Sequence, residues 1–233
     1  MRKLIIIPAY NESECIKNTV DNIVNKAPDF DYVVINDCSK DNTKEILETN
    51  RMNYVSGPIN LGIGGAVQIG YKYALNNGYD IAIQMDGDGQ HDVEYVRRLT
   101  DLIESGEADI VIGSRFIEKQ GFQSSGMRRF GIKFLSGLIR LVCGTKVHDV
   151  TSGFRAVNRK YIELYAKEYP TDYPEPEAIV KASLTGAVIK EAPVIMKERE
   201  TGTSSITPFK SMYYMVKVSL AIILCRISNK RSK

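Results

Sequence analysis

Four short apolar runs separated by stretches of helical periodicity constrain this chain more than any other feature. They are KLIIIP (3–8), YVVIND (32–37), IAIQMD (81–86) and DIVIGS (109–114). Short apolar runs of this kind, the first rich in β-branched residues, read as strands buried on both faces. Between them, Asn11 is placed to cap a helix through about Lys26, with Glu12 and Glu14 at its positive end. SKDNTKEILE opens on a capping Ser or Asp, and a short strand is expected at 54–56. GGAVQIGYKYALNNG has helical spacing and a stop at Gly78, and VEYVRRLTDLIES reads as a further helix. This alternation predicts an α/β fold with a doubly wound, mostly parallel sheet, whose ligands sit beyond the carboxyl ends of the strands. Pro8 to Glu12, Asn36-Asp37, Asp86 to Asp88 and Ser114-Arg115 each follow a strand. Four polar clusters therefore share one rim.

With 233 residues the chain suffices for one substantial domain and a short appendage. Its 43% hydrophobic and 25% charged content argues against global disorder, and a net charge of +3 against a nucleic-acid partner. Cys15, Cys38, Cys143 and Cys225 are scattered without CxxC or zinc spacing, which predicts reduced thiols in a cytosolic protein. The N-terminus runs straight into an apolar strand, so no cleavable signal peptide is expected.

QMDGDGQHD (84–92) carries the strongest chemical signal. Two aspartates one residue apart at a strand end can direct hard oxygens at one Mg²⁺ or Mn²⁺, which then bridges substrate phosphates. Gly87 and Gly89 allow a sharp turn with room for a diphosphate. The plainer reading is a polar turn before the next helix, capped by Asp92. In INDCSKDNT (35–43), capping accounts for Ser39, Asp41 and Thr43, whereas Asp37 shares a rim with Asp86 and Asp88 and suits a base or ribose. NLGIGGAVQIGYKYA (60–74) looks like a phosphate-cradling loop but is neither a Walker motif nor a dinucleotide fingerprint. His91 either contacts substrate or buttresses the turn, and His148 is expected to support its own loop. Glu175 and Glu177 either reach the acceptor side or are carboxylates at a helix N-terminus.

Taken together, IPAYNE, NDCSKDNT, NLGIGGAVQIGYKYA, MDGDGQHD, IGSRF, DVTSGFRAVNR and RETGTSS occur in the order found in family-2 glycosyltransferases of the GT-A fold. Over about residues 3–205 the chain resembles the polyprenyl-phosphate sugar synthases, the dolichyl-phosphate mannosyltransferase-like group. The resemblance implies nucleotide contacts at Pro8, Tyr10, Glu12, Asp37 and Asp86, and a metal site for Mg²⁺ or Mn²⁺ at Asp86, Asp88 and Gln90. It also implies that Arg115, Arg128, Arg199 and Ser204 hold acceptor phosphate, with Asp88 and the three arginines carrying catalysis. Guanidinium forks suit such oxygens. Ile132 departs from the pattern, standing where members often carry serine, and the two- or four-helix membrane anchor of some relatives is not expected here.

What this implies is a metal-dependent, inverting transfer from a UDP- or GDP-linked sugar to a polyprenyl (undecaprenyl-type) phosphate, feeding cell-surface glycan synthesis. Such an acceptor is already an anion, so no strong general base is required. The alternatives are a polysaccharide glycosyltransferase acting on a sugar hydroxyl and a non-catalytic sugar-nucleotide binding subunit. A nucleotidyltransferase would need a Gly-rich, basic triphosphate loop near the N-terminus, and none is present.

Residues 1–205 are expected to form the catalytic domain, and 206–233 an apolar and basic helix. Between 211 and 225 the only charge is Lys217, and Arg226, Lys230, Arg231 and Lys233 follow. That run is short and interrupted for a bilayer span, which needs about 20 predominantly apolar residues. It reads as an interfacial helix on the cytoplasmic face of the membrane, or one packing on a small membrane-protein partner or another copy of itself. An ordinary core helix is the competing reading.

Overall fold

The structure, a computed structural model, describes residues 1–118, 126–172, 174–197 and 208–231. Its first strand is β1 (Lys3–Ala9), in which Leu4, Ile5, Ile6 and Ile7 are all fully buried. A strand with no polar face needs apolar cover on both sides, and β1 has it. Leu4 and Ile6 join one core cluster, Ile5 and Ile7 the other.

The chain continues through α1 (Ile16–Lys26), β2 (Asp31–Asn36), α2 (Thr43–Thr49), β3 (Tyr54–Ser56), α3 (Gly62–Asn76), β4 (Ile81–Gln84) and α4 (Val96–Glu104). It then forms β5 (Ile110–Ser114), α5 (Gly126–Cys143), β6 (Arg155–Asn158), α6 (Arg159–Lys167), α7 (Pro174–Leu184), β7 (Ile189–Pro193) and α8 (Pro208–Arg231). These strands make one seven-stranded sheet in the order β3-β2-β1-β4-β6-β5-β7. All neighbours are parallel except β6, which is antiparallel to both β4 and β5. Core residues of α1, α2 and α4 cover one face, and those of α3, α5, α6, α7 and α8 the other. The expected doubly wound, mostly parallel sheet is therefore present, with one reversed strand inserted.

Two local expectations change. Asn11 does not cap α1, which starts at Ile16 after Glu12 O accepts from the amides of Cys15 and Ile16. Asn11 instead adopts φ 57°, its Oδ1 accepting from Lys40 N and its own N donating to Ser39 Oγ. No acidic residue lies in the first turn of α1. Ser39 and Thr43 do not cap α2, whose N-cap position is Asn42 without a side-chain bond; Ser39, Asp41 and Thr43 instead accept from the backbone N–H groups of Asn11, Ser13 and Glu12 respectively. Asp41 Oδ1 also accepts from Thr43 N at the start of α2. The first two rim loops are thus laced together by side chain to backbone bonds.

Residues 208–231, expected as an appendage, form α8. Its Val218 and Ile222 are buried in the same core cluster as α5 and α7. No helix among the described residues is long and apolar enough to cross a membrane.

Close approach of α3 to β1 depends on Gly70. A Cβ there would lie 2.1 Å from Ile6 Cγ2 in the middle of the sheet. Gly70→Ala should therefore destabilise the fold by about 1–3 kcal/mol through overpacking, despite the better helix propensity of alanine. Urea titration checks this, and unchanged or raised stability would contradict the packing described.

Candidate active site

The strand ends place the expected residues as follows. Pro8 is buried within β1, paired with Ile35, while Tyr10 is exposed and Glu12 half-buried on the loop that follows. Asp37, at the end of β2, is 4% exposed. Its Oδ1 accepts from Leu61 N at 2.7 Å and its backbone carbonyl from Asn60 Nδ2. Asp37 therefore anchors the glycine-bearing entry to α3 as well as lining the rim.

Beyond β4, Asp86 and Asp88 are both half-buried. Asp92 accepts from Glu94 N at the start of the following 3-10 turn, so capping is met without either of them. Asp88 Oδ1 accepts from Gln90 N across a tight turn in which Gly89 has φ 76°. Gln90 donates from Nε2 to Lys197 O, and Lys197 N donates back to Gln90 O. His91 is the buttress rather than an exposed contact. It is 7% exposed, stacks on Phe154 at 4.8 Å, and its Nδ1 accepts from Asp86 N. The neutral ring then carries its proton on Nε2, 3.9 Å from Asp86 Oδ2.

The reversed strand β6 and the loop before it close this turn from the other side. A Cβ on Gly153 would sit 3.1 and 3.2 Å from the Asp86 carboxylate oxygens, so a larger residue would push that carboxylate aside by a few tenths of an ångström. Arg155 is 1% exposed, across the sheet from Gln84 and next to Ile112 of β5. It donates to Ser152 O and Glu175 O. Among the described residues its Nε and Gln84 Nε2 have no hydrogen-bond partner. This buried cation lies close to Glu175 and offsets part of the cost of burying that carboxylate.

Arg115 is 6% exposed, and its guanidinium is forked onto Asp149, Nε to Oδ2 at 2.7 Å and Nη2 to Oδ1 at 2.6 Å. The fork expected to grip a phosphate is therefore engaged by a buried carboxylate. Asp149 N and His148 N both donate to Glu191 of β7, and the His148 ring lies 2.7 Å from the same carboxylate, so His148 supports its loop as expected.

Arg128 stands in the first turn of α5 with accessible surface. Surrounding protein pushes its pKa down and the nearby Arg115 adds to this, while Tyr214, Asp149 and Glu175 oppose. Ile132, one turn on, is buried in the core. Arg199 and Ser204 lie outside the described residues.

Glu175 and Glu177 part company. Burial raises the pKa of Glu175, Asp86 adds to it, and Arg155 and Arg128 work against it, so this carboxylate belongs to the site. Burial also raises Glu177, but its neighbours are Lys181, Glu168 and Lys217. Sequence reasoning singled out neither Asp149, Gly153, Arg155 nor Gln84 for a role. The one signal that could have found Arg155 is an arginine between small and apolar residues in SGFRAV.

Among the described residues no cluster of three His, Cys, Asp or Glu could hold a metal unaided. Asp86, Asp88 and the Gln90 amide oxygen form a partial set of hard oxygen ligands, the kind Mg²⁺ or Mn²⁺ completes with substrate phosphate and water. The residues present fit such an ion.

Comparison with known proteins gives the family and the fold. The model of glycosyl transferase family 2 matches residues 4–165. An undecaprenyl-phosphate mannosyltransferase from Micrococcus luteus is 31% identical, over 89% of this chain and 88% of that protein. A UDP-N-acetylglucosamine–dolichyl-phosphate N-acetylglucosaminyltransferase from Methanococcus voltae is 30% identical, over 94% and 97%. Glucosyl-3-phosphoglycerate synthase from Mycobacterium tuberculosis, solved with Mn²⁺, UDP and phosphoglyceric acid, superposes with a TM-score of 0.71. It is 19% identical and covers 97% of this chain and 78% of that one, a likeness that shows the GT-A fold.

His91 gives the turn a pH dependence. Burial foremost, then Arg115, holds its pKa down at about 4 against Asp88 and Asp149, compared with 6.5 for the free side chain. The unfolded chain thus binds the proton first. Stability is complete above about pH 6.5 and falls toward pH 4, by on the order of 3 kcal/mol from this residue. His91→Asn should flatten that slope in urea titrations between about pH 7 and pH 4.5. Parallel stability curves for the two proteins would contradict the buried, neutral imidazole.

Proposed function

The chain belongs to glycosyl transferase family 2, and on that premise we propose that it is a metal-dependent, inverting enzyme. It moves a sugar from a UDP- or GDP-linked donor to a polyprenyl phosphate of the undecaprenyl type, peripheral to the cytoplasmic face of the membrane, and feeds cell-surface glycan synthesis. One observation carries the reading: the cation of Arg128 shares an electrostatic neighbourhood with Glu175 and Asp149, and Glu175 in turn with Asp86. On this reading Arg128 is the phosphate-binding group, near enough to Glu175 and Asp149 for their charges to act on it. The acceptors named for the two relatives, undecaprenyl and dolichyl phosphate, support the same chemistry.

On this reading Tyr10, Glu12 and Asp37 hold the nucleoside, with Pro8 shaping the strand end beneath them. Asp86, Asp88 and Gln90 hold Mg²⁺ or Mn²⁺, which when bound supplies charge neutralisation to the diphosphate leaving group. Arg128, with Arg199 and Ser204, gathers the acceptor phosphate. Arg115 keeps its charge behind the site through Asp149 and orients the loop. A phosphate oxygen of the acceptor bonds to the anomeric carbon as the bond to the departing diphosphate oxygen breaks, with inversion. The nucleophile is already an anion, so no side chain has to remove a proton. Placement and charge then account for the catalysis.

Glu175 favours a second reading. Its raised pKa, in the site, is what a general base for a sugar-hydroxyl acceptor would need.

Arg128→Ala should raise the KM for lipid phosphate about 10- to 100-fold, the loss of one charge-assisted contact, with donor affinity unchanged by calorimetry. Asp88→Ala should do the reverse, abolishing turnover and weakening the donor in the presence of Mn²⁺. Donor affinity falling in Arg128→Ala at constant acceptor KM would overturn the assignment.

A further inference from the structure

Gln84 stands where the pattern of its strand calls for an apolar residue. β4 is buried at all four positions, and its last residue is a glutamine with no exposed surface. Register fixes its neighbours, Ile6 of β1 on one side and Arg155 of β6 on the other. Side chains alternate across a strand, so Gln84 shares a face with Ala82, in the core cluster that contains Tyr71, Tyr165 and Tyr169.

Only half of its amide is used. Gln84 Oε1 accepts from the Tyr169 hydroxyl at 3.4 Å. Tyr169 is itself held by ring contacts with Tyr71 at 5.4 Å and Tyr165 at 5.1 Å. The hydroxyl takes the oxygen and leaves Nε2, with its two N–H donors, for another partner. Among the described residues Nε2 has none. A buried donor left unmet is costly, and its retention needs a reason.

An acceptor stands close by. The point where a Cβ of Gly153 would lie is 3.2 Å from Gln84 Nε2 and 3.1 and 3.2 Å from the two Asp86 carboxylate oxygens. Amide and carboxylate converge on this residue, and glycine puts no side chain between them. The rest of the turn is already pinned. Thr19 donates to Gly87 O, His91 Nδ1 accepts from Asp86 N, and Asp88 Oδ1 accepts from Gln90 N. Those bonds set the backbone and Asp88, whereas Gln84 is the donor placed to set the direction of the Asp86 carboxylate.

We propose that Gln84, oriented by Tyr169, is a positioning residue that aims the Asp86 carboxylate at a divalent cation. Nε2 donates to one carboxylate oxygen while the other meets the metal. Outer hydrogen bonds of this kind hold a ligating carboxylate in one orientation and raise the affinity of its site. Gly153 belongs to the same device, because a methyl group there would enter the gap between donor and acceptor. The proposal rests on the reading of Asp86 as a metal ligand given above, and adds the residues that aim it.

Mn²⁺ binding tests this without turnover. Unbound Mn²⁺ is counted by its electron paramagnetic resonance signal as the full chain is titrated with UDP and, separately, with GDP present. Gln84→Met keeps the length of the side chain and removes the donor, and should raise the Mn²⁺ dissociation constant about 10- to 100-fold. Gly153→Ala, at a position whose φ lies outside the left-handed region, should raise it too. The double variant should bind little worse than the weaker single one, because both changes act on one hydrogen bond. Tyr169→Phe should give a smaller rise by releasing the amide. Gln84→Met should keep its metal-free thermal midpoint, since the donor it loses is unmet. Unchanged Mn²⁺ affinity in Gln84→Met, or losses in the two single variants that simply multiply in the double, overturns the proposal. If Asp88→Ala still abolishes binding in that case, the metal site itself stands. Absence of Mn²⁺ binding by the unmodified chain would instead remove the metal reading, and this proposal with it.

Discussion

The rim hangs on the pairing of Arg115 with Asp149. Arg115 leaves the end of β5, and Asp149 belongs to the loop that leads back into β6. Both are sealed from solvent, with Asp149 fully buried, and two short N–H···O contacts join them. Glu191 of β7 accepts from the backbone of the same loop, so three strand ends are tied at one point. A buried ion pair of this kind contributes little net stability, yet loss of one partner strands the other charge at a cost of about 3–5 kcal/mol. Its consequence here is positional. It fixes the loop that sets Gly153 against Asp86 and carries Arg155 under the site.

Strand reversal follows from the same arrangement. β6 enters between β4 and β5 with its N-terminal end at the rim, so Ser152, Gly153 and Arg155 meet the carboxyl ends of parallel strands. A purely parallel sheet would leave a crevice there. The reversed strand instead supplies a floor with a buried positive charge, which offsets part of the cost of burying Glu175. Displacement at an anomeric carbon needs this kind of preset charge more than it needs a proton carrier, provided the acceptor is a phosphate.

The sequence makes the central strands legible for a simple reason: β1, β2, β4 and β5 are buried on both faces and so read as unbroken apolar runs. β6 and β7 escape that reading. RAVN is four residues long and opens on arginine, and IKEAP lies at the sheet edge with half-buried polar positions. Asp86, Asp88 and Asp37 announce themselves as carboxylates after strands. Arg115 does so too, but its buried partner is 34 residues away, and no local pattern reveals that its fork is engaged. Asn11 misleads because a capping residue before a periodic segment looks the same whether it bonds its own helix or a neighbouring loop. Ser39 and Thr43 mislead in the converse way.

The central proposal is that the acceptor nucleophile is a phosphate. Radiolabelled UDP-glucose, UDP-N-acetylglucosamine and GDP-mannose, each offered with Mn²⁺ and either undecaprenyl phosphate or the unphosphorylated alcohol, test this directly. The account predicts organic-phase label with the phosphate and one of the donors, and none with the alcohol. Label on the alcohol, or transfer only to a glycan hydroxyl, would contradict it and return Glu175 to the role of base.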